Sequence, residues 1–192
     1  MHNFRDKELI YVTGNKHKFE NAQKFFVAYG IGIEQQSLPI TEVQSHDAVE
    51  VAIQKAKDAW NELMRPLFVN DASWAIPALK GFPGPYMKYV NQWFEPIDFV
   101  HLMEGKKDRT IILKDVIVYI DETGPVSFVN EHRGTILKQV THGTYRHPSD
   151  TVVSLSMSGK SILEESQEGV YFIEDEDKVW KNFANWISEK GV

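Results

Sequence analysis

The densest run of chemically useful groups is Thr13-Gly14-Asn15-Lys16-His17-Lys18, where the apolar stretch Leu9–Val12 gives way to a helical pattern. A helix N-terminus presents unpaired N–H groups and about half a positive charge, and a glycine there lets the backbone approach an anion closely. Lys16 and Lys18 add two full charges within the same turn, and Thr13 and Asn15 add neutral donors. The run can therefore hold phosphate, although it has neither the P-loop nor the GxGxxG spacing. A capped helix with solvated lysines explains the same residues. Asp71 follows a second apolar run, Leu67-Phe68-Val69. A carboxylate leaving a buried strand can hold Mg²⁺ or orient a water, and it can equally cap a turn. Glu42, in a polar stretch before a second helix, offers another oxygen ligand, or is a surface glutamate.

These groups need elements to carry them. Leu9-Ile10-Tyr11-Val12-Thr13 is short and apolar and ends at Gly14-Asn15, which predicts a buried strand. Phe19, Ala22, Phe25, Phe26 and Tyr29 recur at helical spacing, with Gly30 as the stop. A short strand is expected near Ile31–Glu34. Asp47 and Glu50 suit a capping box for a helix whose apolar face is Val49, Ala52, Ile53, Ala56, Trp60 and Leu63, closed by Pro66. Leu67-Phe68-Val69 is then a strand ending at Asn70-Asp71. This alternation predicts an α/β layer with a largely parallel sheet, whose carboxyl edge is where such sheets bind ligands. Farther on, Gly81-Phe82-Pro83-Gly84-Pro85 is a rigid turn, and Pro96–Met103 a short helix. Thr110–Asp121 and Val126–Arg133 form a hairpin continued by Gly134–Lys138, and Val179, Trp180, Phe183, Trp186 and Ile187 line a last amphipathic helix. The expectation is one domain over residues 1–192. It has a first lobe of about 1–95 plus the C-terminal helix, and a β-rich second lobe of about 105–160.

Composition narrows the function. With 42% hydrophobic and 25% charged residues, the chain has the balance of a globular protein. It contains no cysteine, which removes thiol catalysis, disulfides and thiolate zinc sites. The formal charge of −6 argues against broad attraction to nucleic acid or anionic membrane. No stretch is long and apolar enough to span a bilayer, and the first residues lack a signal-peptide core, so a cytoplasmic protein is expected. Ser154-Leu155-Ser156-Met157-Ser158-Gly159-Lys160-Ser161 resembles a P-loop, but only 31 residues follow Ser161, too few for such a domain. A turn after a strand explains it.

Several segments together resemble the inosine triphosphate pyrophosphatase family. Thr13-Gly14-Asn15-x-x-Lys18 is similar to its opening motif, and Glu50-x-Ala52-x-x-Lys55-Ala56 to its second helix. Val69-Asn70-Asp71-Ala72-Ser73 is similar to its acidic strand end, and Ala78-Leu79-x-Gly81-Phe82-Pro83-Gly84-Pro85-Tyr86 to its most specific turn. The resemblance implies an elongated α/β fold with a mixed central sheet flanked by helices, two lobes with a nucleotide cleft between them, and a homodimer. It implies Mg²⁺-dependent hydrolysis of a nucleoside triphosphate such as ITP, dITP or XTP to monophosphate and pyrophosphate, a house-cleaning of the nucleotide pool. Carried over by position, Thr13, Gly14, Asn15, Lys16, Lys18 and Lys178 hold the substrate. Asp71 is general base and metal ligand, and Glu42 the second metal ligand.

Some positions depart from that pattern. Asn70 stands where the family usually has a first acid. Thr144-Tyr145-Arg146-His147-Pro148-Ser149-Asp150 stands where its base-reading segment is expected, and of its closing motif only Lys178 is present. The expectation is retained triphosphate chemistry with altered base preference. The alternatives are a catalytically inactive nucleotide-binding member serving as a sensor or partner-binding module, and another phosphohydrolase on the same scaffold.

Overall fold

A computed structural model describes residues 8–40, 43, 45, 47–170 and 177–191. In chain order the elements begin β1 (Leu9–Val12), α1 (Lys16–Val27), β2 (Ile33–Gln36), α2 (Ala48–Leu63) and β3 (Leu67–Ala75). A 3₁₀ turn at Pro77–Leu79 leads to β4 (Pro83–Gly84), α3 (Met87–Trp93), α4 (Pro96–Leu102), β5 (Thr110–Asp121) and β6 (Gly124–Ile136). After a second 3₁₀ turn at Pro148–Thr151 come β7 (Val153–Ser154), α5 (Ile162–Gln167) and α6 (Asp177–Lys190). The strands form one mixed sheet in the order β2-β1-β3-β5-β6-β7, with β4 on β3. β1 runs parallel to both β2 and β3, as the alternation of strands and helices predicts.

Two compact units share the chain. The first takes the described residues within Met1–Asp71, Val116–Val129 and Lys178–Val192. Its strands are apolar at consecutive positions because both faces are covered. Leu9, Tyr11, Phe68, Ile117 and Tyr119 pack under α1 and α6 with Phe26, Val179, Phe183 and Ile187. Ile10, Val12, Leu67, Val69, Val116 and Val118 pack on α2, whose Ala48, Ala52, Ala56 and Ala59 are small enough for close approach to the strands. The second unit, Ala72–Asp115 and Asn130–Asp177, has its own core around Ile76, Met87, Phe99, Ile111, Ile136 and Val153. There the Arg109 guanidinium donates to the carbonyls of Met103, Ile136 and Leu137, tying the α4 end to the β6 end.

Three readings of the sequence need correction. The apolar run from Leu67 does not stop at Asp71, because β3 continues to Ala75, where it pairs with β4 at Trp74 and Ala75. Asp47 caps α2 through the Val49 N–H, but Glu50 does not close a capping box: its carboxylate accepts instead from Ser45 Oγ. α3 and α5 were not anticipated, since helices of seven and six residues hold too few turns to show a periodic face. The Ser154–Ser161 stretch is the turn between β7 and α5, as the P-loop dismissal expected.

Candidate functional site

The register of β1 on β3 decides what stands next to what. Ile10 is level with Leu67 and Tyr11 with Phe68. Carried forward, that register places Asn70 level with Thr13. β1 has ended there while β3 continues, so the turn sits against the flank of β3 rather than across from a second strand tip. Alternation along β3 then separates the two side chains. Phe68 packs toward α1 and α6 and Asn70 shares its face, whereas Val69 packs on α2 and Asp71 shares that face. Asp71 is half-buried, and Asn70 is 8% exposed.

The turn is braced by its own side chains. Thr13 Oγ1 accepts from the Asn15 N–H at 3.1 Å, and Gln35 Nε2 donates to the Thr13 carbonyl at 3.0 Å. Asn15 is the N-cap of α1: its Oδ1 accepts from the N–H groups of His17 at 3.0 Å and Lys18 at 3.2 Å. Two of the helix's orphan donors are therefore met internally, and the capped-helix reading is correct for Asn15. The full positive charges of the turn are those of Lys16 and Lys18. A Cβ at Gly14 would stand 3.4 Å from Ser37 Oγ, an ordinary contact distance.

The two lysines differ. Lys16 is exposed and pairs loosely with Glu20 at 3.7 Å, the bond length of a solvated surface pair. Lys18 reaches inward, and its Nζ donates to Asn70 Oδ1 at 3.2 Å. Asn70 in turn donates through Nδ2 to the Val116 carbonyl at 3.2 Å, joining α1, β3 and β5. Lys178 is exposed in the first turn of α6. That helix also carries Trp180, whose ring lies 6.2 Å from Tyr11 and 6.1 Å from Phe68. Glu42 lies outside the described residues. The structure thus joins Lys18 to Asn70 beside the Thr13-Gly14-Asn15 turn, and Asp71 follows Asn70 in β3 with its side chain on the opposite face. Asn70 itself was missed as a working residue. No local signal marks it, because its place beside the turn follows from the pairing of Ile10 with Leu67, which the sequence does not show.

Asp71 offers a half-buried carboxylate on β3, and among the described residues no group of three or more metal-ligating side chains gathers anywhere. A hard cation that takes one or two carboxylates and completes its shell with phosphate oxygens and water needs no more than that. An oxygen donor such as Asp71 is of the type a hard divalent cation takes.

A sequence profile described as the Ham1 family matches residues 9–164. A dITP/XTP pyrophosphatase of Methanopyrus kandleri is 30% identical over 180 residues, covering 93% of this chain and 95% of that protein. The chain belongs to the Ham1 family. A dITP/XTP pyrophosphatase of Thermococcus kodakarensis is 29% identical over 181 residues, 94% of this Ham1-family chain and 97% of its own length. In fold the chain matches a HAM1 protein from Coxiella burnetii with a TM-score of 0.80 at 18% identity, over 95% and 98% of the two chains. The Staphylococcus aureus Ham1 protein matches with a TM-score of 0.78 at 16% identity, over 96% and 100%. The resemblance seen in the motifs and the expected mixed α/β sheet flanked by helices are both borne out. Among the described residues no helix is long and apolar enough to cross a membrane.

Proposed function

We propose that this Ham1-family protein hydrolyses a nucleoside triphosphate to the monophosphate and pyrophosphate, acting on deaminated purine nucleotides such as dITP, ITP and XTP. The observation that carries the reading is the hydrogen bond from Lys18, in the first turn of α1, to Asn70, the residue next to Asp71 on β3, beside the Thr13-Gly14 turn. A cation and a carboxylate there can serve the two halves of the chemistry. Lys18, assisted by Lys16, Lys178 and the donors of Thr13, Gly14 and Asn15, binds the triphosphate and neutralises charge that grows on the departing pyrophosphate. Asp71 orients the attacking water and takes its proton, which a weak nucleophile requires. Asp71, with Glu42 as second ligand, would hold a magnesium ion that would supply Lewis-acid polarisation of the phosphoryl oxygens. The reading takes the protein as a cytoplasmic homodimer.

The test is incubation with a panel of triphosphates (ITP, dITP, XTP, ATP, GTP) and Mg²⁺, with pyrophosphate, orthophosphate and monophosphate measured separately. Pyrophosphate and monophosphate are expected in equal amounts, and Asp71→Asn should abolish both while keeping the fold. Tight nucleotide binding without turnover would replace this reading with a binding module. Orthophosphate without pyrophosphate would replace it with another phosphohydrolase.

A further inference from the structure

We propose that Asn70 is a positioning residue that aims the Lys18 ammonium at the triphosphate. The inference rests on the reading of the Thr13–Lys18 turn as the triphosphate site. Lysine carries its charge on a flexible four-carbon stem, so an untethered lysine must be ordered before it can hold an anion in one place. Here the Asn70 Oδ1 to Lys18 Nζ distance of 3.2 Å fixes where the charge resides before any ligand arrives.

Asn70 can do this because it is itself fixed. Its side chain is buried, and Nδ2 donates to the Val116 carbonyl of β5 at 3.2 Å. Turning the amide over would set Nδ2 against an ammonium and Oδ1 against a carbonyl, two repulsive contacts, so a single orientation satisfies both neighbours. An amide is also the chemistry that suits the place. It accepts from Lys18 without cancelling the positive charge, and it donates to Val116, which a carboxylate cannot do. A carboxylate at residue 70 would add negative charge next to Asp71, where the triphosphate must approach.

The test is a double-mutant cycle on the full chain, read by calorimetric titration of inorganic tripolyphosphate in EDTA, so that no metal contributes. Asn70→Ala should weaken binding about five- to tenfold, the usual coupling between hydrogen-bonded neighbours. In a Lys18→Met background the same substitution should cost less than twofold, because there is no ammonium left to aim. Asn70→Ser, whose hydroxyl is too short to span Lys18 and Val116, should repeat the pattern, and thermal melts identify any variant that does not fold. An equal loss from Asn70→Ala in both backgrounds overturns the proposal in favour of a structural amide. Unchanged affinity in Asn70→Ala overturns it as well. Failure of the unaltered protein to bind tripolyphosphate overturns the site reading and the proposal together, whereas binding without coupling overturns the proposal alone.

Discussion

Asp121→Asn offers a quantitative test of how α6 is fastened to the sheet. Asp121 ends β5 with a side chain only 10% exposed, and the C-terminal end of α6 brings Lys190 Nζ to within 2.6 Å of its Oδ2. Thr123 donates to Oδ1 through its N–H at 2.9 Å and its hydroxyl at 2.6 Å, and the Tyr119 hydroxyl donates to Oδ2 at 3.2 Å. Lys190 also lies 4.9 Å from the ring centroids of Tyr119 and Trp186. Burial pushes the Asp121 carboxyl up, but the Lys190 and Thr123 hydrogen bonds outweigh it and hold the pKa at about 2. The unfolded chain would protonate near the ordinary aspartate value of about 3.9, so the folded state is favoured by about 2.5 kcal/mol wherever both forms are ionised. The sign follows from a depressed folded pKa: this stabilisation is complete above about pH 5 and is lost as pH falls toward 2, about half of it by pH 3. Asp121→Asn should therefore lower the melting temperature by about 5–10 °C at pH 7. In urea titrations the gap between wild type and variant should shrink to about half at pH 3. Nucleotide turnover at 25 °C should be unchanged, because Asp121 lies outside the turn and its partners. A gap that stays the same from pH 7 to pH 3 would refute the charged-pair account and leave only packing.

Two further outcomes follow from the packing around the turn. Asn15→Ala removes the acceptor for the His17 and Lys18 N–H groups and should cost about 1 kcal/mol, read as a fall in melting temperature of about 2–4 °C. Trp180→Ala empties a position whose ring lies within 5.8–6.2 Å of Tyr11, Phe25, Phe26 and Phe68, and should cost about 3 kcal/mol, read as a lower urea midpoint with an unchanged slope.

Much of the fold was legible because its signals are local. The buried strands β1 and β3 read as uninterrupted apolar runs since helices cover both of their faces, and α1, α2 and α6 are long enough for one apolar stripe each to repeat. The hairpin of β5 and β6 was marked by Glu122-Thr123-Gly124, where Gly124 takes a φ of 109° that other residues resist. The short α3 and α5 left no such trace, and the end of β3 was placed too early because Asn and Asp usually interrupt strands.

For the site, the residue types alone determined the chemistry on offer: ammonium groups and a glycine after one strand, a carboxylate after another, and no thiol to suggest anything else. Tertiary structure decided how these groups are used. The parallel register of β1 and β3 sets residues 52 positions apart in the chain, Lys18 and Asn70, within hydrogen-bond distance. The two-residue alternation of a strand then sends Asn70 and Asp71 to opposite faces. Neither fact is written in any local stretch, because register depends on how two separate segments bury their apolar sides against the same helices.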